Sequence, residues 1–102
     1  GTLKGSFLQI EGSVTDMYTR VLDKKYNPKR SGDLGSDSDR LGFALAVFTK
    51  QAEGTSYAAD AEDIKTKVAN LERLTATRAP VDKQRAAAKE LQDAMLALKA
   101  KM

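Results

Sequence analysis

The strongest constraint in this sequence is the spacing of its apolar residues, which recur every three or four positions in four separate segments. In the first segment this stripe comprises Leu3, Phe7, Ile10, Val14, Met17 and Val21. The spacing places one side chain per turn on a common helical face, which predicts an amphipathic α-helix. Leu8, Tyr18 and Leu22 widen the stripe, as is typical of a helix that buries a broad face in a bundle.

Turn-forming residues end this first segment and begin the second. Pro28 disfavours helical backbone at Asn27, so the first helix is expected to end near Tyr26 and a loop to run to Gly35. A second helix is expected from about residues 36–38, where Ser and Asp side chains accept hydrogen bonds from first-turn amides.

Three further signals divide the rest of the chain. Gly54 is expected to end the second helix, and Thr55 or Ser56 to cap the third. Pro80 suits the first position of the fourth, where its missing amide hydrogen has no helical partner. The stripe of the second helix is Leu41, Ala44 or Leu45, Phe48 and Ala52. The stripe of the third is Tyr57, Ala61, Ile64, Val68, Leu71 and Leu74 or Thr75. The stripe of the fourth is Val81, Ala88, Leu91, Met95 and Leu98.

A chain of 102 residues has the usual size of one domain, so residues 1–102 are expected to form a single core. Four helices with mostly short connections predict an all-α, antiparallel up-down-up-down four-helix bundle. A three-helix fold is the alternative, because running through Gly54 costs only about 1 kcal/mol relative to Ala. Gly5, Gly12 and Gly42 are expected to permit close helix packing rather than to form the floor of a ligand pocket.

The sequence contains neither cysteine nor histidine. This excludes disulfides, thiolate or imidazole metal ligands, cysteine nucleophiles and histidine acid–base chemistry. Ser-x-x-Lys and Gly-x-Ser-x-Gly patterns and a Gly-rich phosphate loop are also missing. We therefore expect no enzyme and no catalytic residues.

Charge and hydropathy exclude other classes. The net charge is +3, but the basic residues do not cluster along one helix, which disfavours nucleic-acid binding. No apolar run approaches the roughly 20 residues of a membrane-spanning helix. The carboxylates that come nearest to a hard-cation site lie off the apolar stripe, so a solvated helix face is preferred and no metal is expected. These are Asp60, Glu62, Asp63 and Glu72.

The Ala-rich last helix, Arg85-Ala86-Ala87-Ala88-Lys89-Glu90-Leu91, together with the length and the four-helix pattern, resembles the periplasmic cytochrome b562 and cytochrome c′ class. In the b562 type, the resemblance implies a haem held by a Met on the first helix and a His on the last. Met17 matches the first position, but the last helix has no His and there is no Cys-x-x-Cys-His motif. The resemblance therefore implies a haem-free, cofactor-free relative.

The favoured expectation is a non-enzymatic, periplasmic or otherwise exported module, with a structural or protein-interaction role, that is a monomer or a weak homo-oligomer. Lack of cysteine is compatible with export, and Gly1 and Thr2 resemble a trimmed terminus. Its partner would dock on a helix face or on the loop of residues 27–35, since long connections in compact bundles are often functional. The candidate loop residues are Lys29, Arg30, Asp33 and Leu34, although lysines ending a helix before a solvated loop are also ordinary.

The alternative is a carrier of a small apolar or haem-like ligand in the bundle core. Its candidate lining residues are Met17, Phe43, Phe48 and Met95. Methionine also serves as flexible core filler, which competes with this interpretation. A cation-binding bundle is the third and weakest hypothesis.

Overall fold

The predicted helices are present in a computed structural model, which describes residues 2–27 and 35–102. This part of the chain forms α1 (Leu3–Leu22), α2 (Gly35–Ala52), α3 (Ala58–Ala76) and α4 (Val81–Lys101). The helices pack in the cyclic order α1, α2, α3, α4, with α4 returning to α1. The all-α four-helix bundle is thus confirmed. The three-helix alternative is wrong, because α2 stops two residues before Gly54, whose φ of 78° is left-handed and ends the helix.

Polar contacts near the helix ends establish the directions of neighbouring helices. The Ser6 hydroxyl near the start of α1 donates to Gln51 Oε1 near the end of α2. Lys101 at the end of α4 pairs with Asp60 in the first turn of α3, with 3.1 Å between Nζ and Oδ1. Both contacts join the start of one helix to the end of its neighbour, as is expected of antiparallel neighbours.

The start of α4 is joined to the end of α1. The Arg85 guanidinium donates to the carbonyl oxygens of Val21 and Asp23, at 3.4 and 3.3 Å. Carbonyls in the last turn of a helix have no intrahelical donor, so this arginine gives the Val21 carbonyl of α1 a donor from another helix. It is a second donor to the Asp23 carbonyl, which also accepts from the Tyr26 amide. It also joins opposite ends of α1 and α4, as the up-down-up-down arrangement requires.

The predicted end of α1 near Tyr26 is wrong by four residues, because the helix ends at Leu22. Asp23 has extended backbone, and its side chain accepts a hydrogen bond from the Lys25 amide at 2.9 Å. This local turn competes with continuation of the helix. The chain therefore leaves α1 before Pro28 acts.

The first residues of α3 and α4 differ slightly from the positions that the sequence predicts. Neither predicted cap stands at the start of α3, where Tyr57 takes the N-cap position without a side-chain cap. The Thr55 hydroxyl instead accepts from the Tyr57 amide at 3.1 Å and donates to the Ala52 carbonyl at 2.6 Å, which fixes the turn. Pro80 immediately precedes α4 rather than occupying its first position.

The core consists of the predicted stripes, and α2 uses Leu45 rather than Ala44. Stripe residues near helix ends, such as Leu3, Tyr57 and Val81, are half-buried. The fully or almost fully buried stripe residues are Phe7, Ile10, Val14, Met17, Val21, Leu41, Leu45, Phe48, Ala52, Ala61, Ile64, Val68, Leu71, Ala88, Leu91, Met95 and Leu98.

Close helix packing at the glycines is not observed. A Cβ atom built on Gly12 or Gly42 would meet no atom within 4 Å, other than those of its own helix turns. At Gly5 the nearest atom is Thr2 Oγ1, 3.2 Å away, which accepts the Gly5 amide hydrogen and caps α1. Gly12 and Gly42 therefore lie at open surface.

Three buried polar side chains in the described part of the chain, Ser6, Thr49 and Gln84, were missed by the sequence analysis, and Gln84 is the most deeply buried of them. Gln84 is fully buried, because its position between Val81 and Ala88 continues the buried stripe of α4. The Tyr26 hydroxyl donates to Gln84 Oε1 at 2.6 Å, and Gln84 Nε2 donates to the Ala79 carbonyl at 2.7 Å. These bonds offset the cost of burying the amide and attach the segment after α1 to α4.

We predict that Tyr26→Phe lowers the free energy of unfolding by about 1–3 kcal/mol, because it leaves Gln84 Oε1 buried without its donor. Urea unfolding measures this change. The matched control is Tyr57→Phe, which removes the exposed hydrogen bond to the Lys101 carbonyl and is expected to cost no more than about 0.5 kcal/mol. Equal losses in the two variants would contradict the role assigned to Gln84.

Candidate functional site

The predicted partner loop stays a prediction. Its candidate residues, Lys29, Arg30, Asp33 and Leu34, lie outside the described residues.

The four candidate carrier residues are not brought together. Met17, Phe48 and Met95 lie in the core and are at most 5% exposed. The expectation that Phe43 lines this core is wrong, because its side chain is 74% exposed on the outside of α2. Phe43 lies two positions after Leu41, and two residues turn about 200° around a helix. A side chain at that position faces away from the buried stripe.

A groove between α1 and α4 has a different set of lining residues. Its volume is about 410 Å³. We call it the α1–α4 groove, and its lining residues are Glu11, Gly12, Thr15, Asp16, Tyr18, Met95, Leu96 and Lys99. Tyr18 and Met95 are almost completely buried, whereas Leu96 is 54% exposed. The groove therefore runs from the edge of the core out to an exposed apolar residue.

The space in the groove depends on a residue without a side chain. Gly12 lines the groove, and a Cβ at this position would meet nothing within 4 Å. Glycine in the middle of a helix costs about 1 kcal/mol relative to alanine, and no contact with residues 2–27 or 35–102 requires glycine here. Gly12 thus leaves room that an incoming side chain can occupy.

Charged groups lie along the same groove. Lys99 Nζ pairs with Glu11 Oε2 at 2.9 Å and connects α4 to α1. Asp16 is exposed, and it belongs to none of the ion pairs formed within residues 2–27 and 35–102. The Asp16 carboxylate therefore has no ion-pair partner within the described residues, whereas Glu11, the other acid of the groove, is paired with Lys99.

Leu8 extends the apolar surface beside this groove. The expectation that Leu8 widens the buried stripe is wrong, because it is 55% exposed. It lies four positions before Gly12, and residues with this spacing share one side of a helix. Leu8 is therefore on the groove side of α1. The sequence contains a signal for this exposure. Leu8 follows Phe7 by one position and precedes Ile10 by two, so it departs from the three- or four-residue spacing of the stripe.

Two of the acidic residues considered as a cation site form ion pairs with lysines instead. Asp60 pairs with Lys101 on α4, and Asp63 pairs with Lys67 one turn along α3. Within the described ranges, no three potential ligand side chains are grouped closely enough to hold a metal ion. None of the helices in those ranges combines the length and apolar character needed to cross a membrane.

Neither the protein-family models nor the curated proteins nor the solved structures contain a match to this chain. The resemblance to the cytochrome b562 and cytochrome c′ class therefore extends only to the four-helix architecture. The residues do not fit a haem held as in the b562 type. Met17 is buried, but α4 has no histidine, and its inward positions around Leu91 are filled by Ala88 and Met95.

We predict that Leu96→Ser changes the free energy of unfolding by no more than about 0.5 kcal/mol, since Leu96 contributes little to the core. The neighbouring substitution Met95→Ala is expected to cost about 2–5 kcal/mol, because it leaves a cavity in the core. Thermal or urea unfolding of the two variants distinguishes them. A large loss in Leu96→Ser would mean that this leucine stabilises the bundle and is not available for binding.

Proposed function

We propose that this chain is a non-enzymatic helical-bundle module that docks another protein in its α1–α4 groove. The observation that carries the proposal is the placement of Leu8 and Leu96, both more than half exposed, beside a groove left open by Gly12. Single exposed leucines are common on soluble proteins. Two of them beside an open groove are typical of a binding surface.

The side chains of the groove favour binding over chemistry. Within the described residues, the Tyr18 hydroxyl of the groove donates to Thr15 Oγ1 at 3.4 Å, and the Lys99 ammonium pairs with Glu11. Neither hydroxyl has a histidine or cysteine neighbour anywhere in the chain. A nucleophile needs an adjacent base or a lowered pKa, and the sequence supplies no histidine for that purpose.

The partner's chemistry is constrained by the apolar rim and the open carboxylate. An incoming helix that places an apolar side chain over Gly12 would contact Leu96 on one side and Leu8 further along α1. A lysine or arginine on that helix would pair with Asp16. This combination is the helix-in-groove mode, in which apolar residues anchor the helix and flanking charges fix its orientation.

A location outside the cytoplasm is a second part of the proposal. The absence of cysteine and the architectural resemblance to periplasmic bundles support it. Cell fractionation combined with sequencing of the native N-terminus tests this part. Recovery from the cytoplasmic fraction would exclude export without affecting the docking proposal.

We predict that the protein isolated gently from its own cells carries a partner protein, detectable by native mass spectrometry. Leu96→Ser and Asp16→Lys are each expected to reduce recovery of that partner by about tenfold, since a hot-spot residue contributes more than about 1.4 kcal/mol. The control is Glu62→Lys, which makes the same change of charge at an exposed position on α3.

The outcomes separate the function from the site. Loss of partner in both groove variants but not in Glu62→Lys supports docking in the α1–α4 groove. A partner that is retained by all three variants would place docking elsewhere. A chain that never carries a partner protein would contradict the interaction function itself.

A further inference from the structure

Helix α2 has more apolar surface than the bundle covers. Residues 41–48 read Leu-Gly-Phe-Ala-Leu-Ala-Val-Phe, without a polar side chain. A helix that is apolar on all sides is normally buried on all sides. Here the bundle buries Leu41, Leu45 and Phe48, while Phe43 is 74% exposed.

The uncovered residues form one continuous stripe. Phe43, Ala46, Val47 and Lys50 follow one another at intervals of three, one and three positions, which places them on one side of the helix. Ala46 and Lys50 are exposed, and Val47 is half-buried. We call these four residues the outer face of α2. A Cβ at the adjacent Gly42 would meet nothing within 4 Å, so the surface at Gly42 is open as well.

The order of residues on this face suits pairing with an identical face. An antiparallel pair with a two-fold axis between Ala46 and Val47 aligns Phe43 of one copy with Lys50 of the other. The same register aligns Arg40 of one copy with Glu53 of the other. Closed two-fold pairs of this kind are the most common assemblies of identical chains.

The charges on α2 and on Glu53, the residue that follows it, agree with this register. Arg40, Lys50 and Glu53 are exposed, and none of them belongs to an ion pair within the described residues. In the antiparallel pair, opposite charges lie at the same height at both ends, and Lys50 lies over the ring of Phe43, an attractive cation–π arrangement. A parallel pair would align Arg40 with Arg40 and Glu53 with Glu53, which is repulsive.

We infer that two copies of this chain associate antiparallel through the outer face of α2. This surface is distinct from the α1–α4 groove, so the inference does not depend on the proposed function. Gly42, which has no side chain, and Ala46, whose side chain is one methyl group, let the two helices approach closely. One helix face per chain falls below the roughly 1,200 Å² of buried area found in stable interfaces. The dimer is therefore weak, with a Kd on the order of 100 μM.

Sedimentation velocity of the full chain over a concentration series spanning this Kd tests the inference. The sedimentation coefficient is expected to rise from the monomer value toward the dimer value. Phe43→Ser is expected to raise the dimer Kd at least about tenfold, because it removes the central apolar residue. Leu96→Ser is the control, since it removes another exposed apolar side chain, on α4 and outside the outer face of α2, and is expected to leave dimerisation unchanged. Circular dichroism establishes that both variants remain folded.

Charge exchange tests the register. Arg40→Glu alone sets two acids against each other at both ends of the pair, and Glu53→Arg alone does the same with two cations. Each is expected to raise the dimer Kd about threefold or more at low salt. The double variant Arg40→Glu with Glu53→Arg restores the opposite-charge pairs and is expected to restore the Kd.

Three outcomes would overturn the inference. The first is a monomer at every concentration, including one that binds a different protein or a lipid surface through Phe43. The second is a dimer that Phe43→Ser does not weaken. The third is a double charge variant that dimerises no better than either single variant, since only the antiparallel register requires recovery.

Discussion

Burial of one apolar stripe from each helix is the interaction on which this structure depends. The sequence has no cysteine or histidine, so neither a disulfide nor a thiolate or imidazole metal site supplements the core. Each fully buried side chain such as Ile10, Ile64 or Leu91 contributes about 1.5–3 kcal/mol relative to an exposed one. These gains oppose the conformational entropy lost when the helices become ordered. The helix spacing of the stripes matters because only that spacing lets four helices bury their apolar residues together.

Polar contacts between distant residues then determine how the helices are aligned. Arg85 satisfies carbonyls at the end of α1, and Gln84 accepts from Tyr26 just beyond that end. Ser6 connects α1 to α2, and Lys101 connects α4 to α3. Buried polar bonds specify one arrangement more sharply than apolar contacts, because a wrong register leaves them unpaired. In this bundle the partly buried bonds of Ser6, Gln84 and Arg85 lie near helix ends, where the Lys101–Asp60 pair is exposed.

Apolar residues outside the core indicate two separate surfaces on the bundle. The α1–α4 groove lies between two helices and has a rim at Leu96, whereas the outer face of α2 is centred on Phe43. Because α2 and α4 lie diagonally across the bundle, the two surfaces face different directions. A pair of chains joined through α2 would leave both grooves accessible, and it would double the number of docking sites in one particle.

The sequence by itself determined the number of helices, their approximate limits and nearly all of the core. These features are local, since the spacing of residues within each helix defines its stripe. Gly54 and Pro80 mark two of the boundaries between helices. Leu8 and Phe43 were wrongly expected in the core, because the spacing shows the centre of an apolar face but not how wide a face the neighbouring helices cover. Only the packing of the other three helices decided which side of α2 is covered. Tertiary structure alone also made the groove, which joins Gly12 to Leu96 across more than eighty positions of sequence. It likewise buried Gln84, whose partner Tyr26 is 58 positions away, because a polar residue on a core stripe becomes acceptable only when a distant donor reaches it.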